Sequence, residues 1–149
     1  MAYANVELVR TLRRTAARLR EGAGYQWGHL GMCNCGHLAQ TLTGLPKAEI
    51  HAAALVLGGE WEDRVRDHCP TSGYAIDDII RAMLEHGLDP GDLADLEDLR
   101  DDRILRRLPS GRRHLQRNQR ADVIEYLETW AKMLEEELEA RLAAAGRAA

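Results

Sequence analysis

Three observations predict an all-α fold of six to eight helices with a long C-terminal helix as its spine. Apolar residues recur at helical spacing in almost every periodic segment. No alternating stretch of convincing length and no β-branched run is present. The breaks between periodic segments carry Gly, Pro, Asn or Asp, the residues that start and stop helices.

The elements follow in order. Asn5 is a natural N-cap for a helix to about Arg20, with Leu8, Val9, Leu12, Ala16 and Leu19 on its inner stripe. Glu21 to Gly36 is rich in glycine and reads as a loop. A second helix is predicted from about Gly36 to Leu42. Pro46 suits the first turn of a third, whose buried face holds Ile50, Ala53, Ala54 and Leu57 until Gly58-Gly59 stops it. A short fourth helix covers Glu60 to about Asp67 through Trp61 and Val65. The turn His68–Gly73 leads to a fifth, about Ala75 to His86, burying Ile76, Ile79, Ile80 and Met83.

Asp89 and Pro90 open a sixth helix with Leu93 and Leu96 inward. Asp101 or Asp102 starts a short one with Ile104, Leu105 and Leu108. The last runs from about Asn118 to Leu142 on Val123, Leu127, Trp130, Leu134 and Leu138, and residues 143–149 are expected to fray. The 149 residues suit one domain. A chain of this size buries about 70% of its unfolded surface and needs no disulfide or metal to fold.

Composition narrows the partners. The net charge of −4 and pI near 5.9 suit bulk nucleic-acid or anionic-membrane binding poorly. No stretch has the length of a transmembrane helix, and the Arg-rich N-terminus lacks the apolar core of a secretory signal. With an odd number of cysteines, three, the expectation is a cytoplasmic protein with reduced thiols.

Chemistry concentrates in YQWGHLGMCNCGHLAQ, Tyr25 to Gln40, with two of the three cysteines and two of the six histidines. His29, Cys33, Cys35 and His37 give H-x3-C-x-C-x-H, and His68 and Cys69 lie downstream. Thiolate and imidazole bind zinc or iron. On one straight helix His29 and His37 would stand about 12 Å apart, too far to share an ion. Gly28, Gly31 and Gly36 argue against a straight helix, and a bend could gather Cys33, Cys35 and His37, with His29, His68 or Cys69 in reserve. Such a metal site is the first expectation, whether structural, hydrolytic or redox.

Two alternatives stand beside it. Cys35, or Cys33, at a helix start could be a nucleophile with a histidine base such as His37, since the helix dipole favours a thiolate. Or the cysteines and histidines pack in the core of a non-enzymatic interaction module. Tyr25, Trp27 and Asn34 are candidates for lining a small-molecule pocket.

Two charged halves complete the reading. Residues 100–120 hold eight arginines against two aspartates, a local +6, and residues 121–140 a local −6. Arg112, Arg113 and Arg117 are candidates for binding a phosphate group; the competing expectation is that the halves pair within the fold or across a homodimer.

Overall fold

A computed structural model describes residues 1–148. Among them lie eight α-helices and no strand. They are α1 (Val6–Arg20), α2 (Asn34–Thr43), α3 (Lys47–Leu55), α4 (Trp61–Arg66), α5 (Ala75–Glu85), α6 (Pro90–Asp98), α7 (Asp102–Leu105) and α8 (Arg120–Ala148). The all-helical class and the long last helix are as the periodicity predicts.

α1 and α8 pack antiparallel and form the largest helix–helix contact. Arg13 meets Glu135 at 2.6 Å and Arg20 meets Glu128 at 2.8 Å along the seam. The Asn5 side chain accepts the Leu8 N–H and caps α1. The predicted stripes of α1, α5 and α6 are all buried, and they join Val123, Leu127, Trp130 and Leu134 of α8 in one apolar cluster. Leu138 is only partly covered.

Three expectations need correction. α2 begins two residues earlier than predicted, because the Cys33 sulfur itself caps it, accepting the Gly36 N–H at 3.4 Å. Gly36 thus sits inside the first turn, where a Cβ would lie 2.5 Å from the Leu30 carbonyl oxygen. α3 ends at Leu55, so Leu57 lies beyond it and is 37% exposed rather than on its buried face. Before α5, Ser72 and the Cys69 N–H bond the Asp77 carboxylate, and Tyr74 at the N-cap makes no side-chain bond. Finally, α8 continues through Ala148, since its Ala-, Glu- and Arg-rich end is strongly helix-forming; Ala149 lies outside the described residues.

This arrangement lays the loop 21–33 across one end of the α1–α8 pair. Arg120, the first residue of α8, donates to the carbonyls of Leu19 at 2.7 Å and Ala23 at 2.6 Å, which anchors the loop's start. Gly31 anchors its end. A Cβ on Gly31 would fall 2.0 Å from the Lys47 carbonyl oxygen, so only glycine lets the loop touch α3 there.

Candidate functional site

The Cys-Asn-Cys-Gly-His run forms the start of α2 and is driven into the core. Cys33, Asn34 and Cys35 each show no exposed surface, and His37 almost none. Seven residues in a row, Cys33 to Ala39, are buried because α2 packs against α1, α3, α5 and α6.

Each donor atom turns to a different partner. Cys33 Sγ lies 3.7 Å from the Leu30 carbonyl oxygen, and Cys35 Sγ donates to the Leu93 carbonyl at 3.1 Å. His37 Nε2 lies 2.7 Å from the Gly24 carbonyl oxygen. A carbonyl only accepts, so Nε2 carries the proton; Nδ1 is buried without a partner. His29 stacks on His51 with ring centroids 4.0 Å apart. Its Nδ1 accepts the Gly31 N–H at 3.1 Å, while His51 Nδ1 accepts the Leu30 N–H at 3.0 Å.

His68 and Cys69 belong to another place. Asp77 holds that turn, 3.2 Å from His68 Nδ1 and 2.5 Å from Ser72 Oγ. Burial works to raise the Asp77 carboxyl, but bonds from Ser72, the Cys69 N–H and His68 outweigh it and hold it below the usual range. Cys69 itself is exposed. The bend expected to gather Cys33, Cys35 and His37, with His29, His68 and Cys69 in reserve, does not do so. Among the described residues no three His, Cys, Asp or Glu side chains stand close enough to share an ion.

Glu97 of α6 is the residue that sequence reasoning missed. Its Oε2 accepts the Cys35 N–H at 3.0 Å, a carboxylate placed against the N-terminus of α2. The same carboxyl faces both thiols. Burial raises the Glu97 pKa, and its hydrogen bonds oppose that only in part. For Cys33 and Cys35, burial and then the Glu97 charge push the thiols well above their ordinary range. The helix dipole favours a thiolate, but desolvation and a neighbouring carboxylate exceed it. One signal for Glu97 was available: it continues the Leu93–Leu96 stripe at i+4, a charge on a buried face.

Asn34 joins three segments. Its Nδ2 donates to the carbonyls of Leu96 at 3.1 Å, Glu97 at 3.0 Å and, more distantly, Arg117 at 3.3 Å. The Tyr25 hydroxyl sits 2.6 Å from both Asn34 Oδ1 and the Arg117 carbonyl oxygen, and burial raises its pKa. Tyr25 and Asn34, expected to line a pocket, instead clamp the backbone of Arg117.

That clamp positions a surface cleft. The Arg117 guanidinium lies 4.2 Å from the Trp27 ring centroid, in cation–π contact. Trp27, Asp98, His114, Gln116, Arg117 and Asn118 line an open cavity of about 420 Å³. Arg117 pairs with Asp98 at 2.6 Å, and Arg100 approaches the other oxygen of the same carboxylate at 2.8 Å. Two guanidiniums thus share this carboxylate, although Arg100 also pairs with Asp95 and Glu62.

The three arginines expected to act together are separated. Arg112 is engaged by Asp122 at 2.9 Å and Glu125 at 2.7 Å, and Arg107 meets Glu136, so these basic and acidic stretches do pair within the fold. Arg113 is exposed and makes no ion pair among the described residues. Only Arg117 reaches the cleft. Comparison with protein-family models, with curated proteins and with solved structures finds no match. No helix among the described residues is long and apolar enough to cross a membrane.

Proposed function

We propose that this chain is a non-catalytic binding module whose ligand site is the Trp27–Arg117 cleft. In this reading the Cys-Asn-Cys-Gly-His run builds the cleft and does not react. The observation that carries it is the clamp: a buried Asn34–Tyr25 pair fixes the backbone of the residue whose guanidinium covers Trp27. Holding a binding residue from behind reduces the ordering cost of capture. The thiol reading has less support because both thiols beside α2 are buried and held protonated. The zinc or iron reading has less support because its donor atoms face separate carbonyl groups.

The cleft's chemistry points to a small anion that carries an aromatic ring. Arg117 spends Nη1 on Asp98 and keeps further N–H donors for a phosphate or carboxylate, and His114, Gln116 and Asn118 add polar groups. Trp27 supplies an aromatic wall. Adenosine monophosphate is the natural probe, with inorganic phosphate and adenosine as its two halves. Trp61 and Trp130 are 1% and 2% exposed, so a change in quenching reports mainly on Trp27.

Saturable quenching by adenosine monophosphate with a Kd below about 1 mM is expected. It should be lost in Arg117→Ala and weaker with either half alone. No saturable response to any of the three probes, by fluorescence or calorimetry, would overturn the reading.

A further inference from the structure

The α1–α8 pair carries a second surface, on the side away from the core. Val6 and Leu142 are 55% and 62% exposed on adjoining helices, and Val6, Val9 and Leu138 line a groove of about 280 Å³ between them. From Glu139 to Arg147 every residue of α8 is exposed. Water is a poor neighbour for such a stripe, since uncovered apolar surface forgoes the gain of burial.

The walls of the groove differ in charge. α1 contributes Arg10 and Arg13; α8 contributes Glu135 and, one turn on, Glu139. The antiparallel seam sets their heights. Arg13 is level with Glu135 and Arg20 with Glu128, so Arg10 stands level with Leu138 and Glu139. Among the described residues Arg10 pairs only with Glu7 of its own helix, and both side chains are largely exposed. A pair of that kind is worth little. Glu139 makes no ion pair among the described residues.

We propose that the groove is covered by a second copy of this chain, in a two-fold dimer whose axis runs parallel to α1 and α8. That axis preserves height along the helices and exchanges left for right. It therefore lays α1 of one copy against α8 of the other, antiparallel, and closes an antiparallel four-helix bundle. Arg13 and Glu135 pair with each other within each copy, so the charges left for the partner are Arg10 and Glu139. Arg10 finds Glu139 of the other copy, twice per dimer, and Val6, Leu138 and Leu142 close over the two-fold axis.

The size suits a modest interface. α1 has 15 residues, about 22 Å of helix, and two helices side by side span about 20 Å. That face covers roughly 440 Å² per partner, below the roughly 600 Å² of stable interfaces and in the size class of weak, transient contacts. A reversible dimer is expected, not an obligate one.

Charge reversal at the crossed pair tests the arrangement. Sedimentation velocity on the full chain should show a monomer–dimer equilibrium. Arg10→Glu alone and Glu139→Arg alone should each weaken it about tenfold or more, because each places two like-charge contacts in the interface. The double variant Arg10→Glu with Glu139→Arg should restore it. Leu142→Glu should give a monomer with an unchanged far-UV circular dichroism spectrum. A wild-type chain that stays monomeric at all concentrations would overturn the proposal and leave the groove to another partner. So would a dimer indifferent to these charges.

Discussion

Asn34 and Arg117 stand within hydrogen-bonding distance, yet one is sealed from water and the other faces it. Around Asn34 most polar groups are spent on the protein, His37 Nδ1 excepted: thiols on carbonyls, an amide on three carbonyls, a carboxylate on a helix N-terminus. Around Arg117 the guanidinium lies over an indole and shares a carboxylate, beside an open cleft. The contrast teaches that a dense cluster of reactive residue types need not be where ligands are met. The inner cluster carries rigidity, and the outer one can carry recognition.

The largest effect should come from breaking the inner region's backbone fit. Gly31→Ala sets a methyl 2.0 Å from the Lys47 carbonyl oxygen, a rigid neighbour. Urea denaturation should show a loss of about 4 kcal/mol. Asn34→Ala comes next. It leaves the carbonyls of Leu96 and Glu97 without this donor in the interior, and about 3 kcal/mol should be lost. A loss under about 1 kcal/mol in either variant would mean that the inner region is far softer than its packing.

Acidity sharpens the comparison with opposite signs in two places. Burial, joined by the charges of Arg18, Arg120 and Lys47, lowers His37 to about 4, against a partial lift from the Gly24 bond. The unfolded chain binds that proton near pH 6.5. The His37 contribution is therefore complete above about pH 6.5 and is lost as pH falls toward 4. Asp92 behaves in reverse. Burial raises its carboxyl to about 6, so its contribution is complete below about pH 4 and lost as pH rises through 6. Asp92→Asn should stabilise the protein at pH 8 by about 2 kcal/mol and leave stability at pH 4 nearly unchanged. Urea midpoints at the two pH values check this.

The smallest effect on stability should come from the outer region. Arg117→Ala removes an exposed ion pair and a surface cation–π contact, and should cost under about 1 kcal/mol. It should nevertheless abolish quenching by adenosine monophosphate. A large stability loss would place Arg117 with the inner cluster and weaken its assignment to recognition.

The fold was largely legible in the sequence and the site was not. The α1, α5, α6 and α8 stripes are local patterns, and a buried stripe announces itself within one helix. The N-caps Asn5 and Asp89 were legible for the same reason, whereas the ends of α3 and α8 were not. What Cys33 and Cys35 do depends on Glu97 and Leu93, about 60 residues away in sequence. Spacing within 25–40 carries no information about that partner. The residue types also misled in a physical way: thiols and imidazoles suit metals, but they equally satisfy carbonyls in a tight interior. Trp27 and Arg117 were both singled out, yet their meeting depends on Tyr25 and Asn34 holding the Arg117 backbone.

Native-state alkylation of the three cysteines is the most direct measurement, read residue by residue by mass spectrometry at pH 7.5. Cys69, the exposed thiol, should take the label first, and Cys33 and Cys35 should stay unlabelled until urea unfolds the chain. If Cys33 or Cys35 reacts in the folded protein as fast as Cys69 or faster, the inner cluster is a reactive site after all.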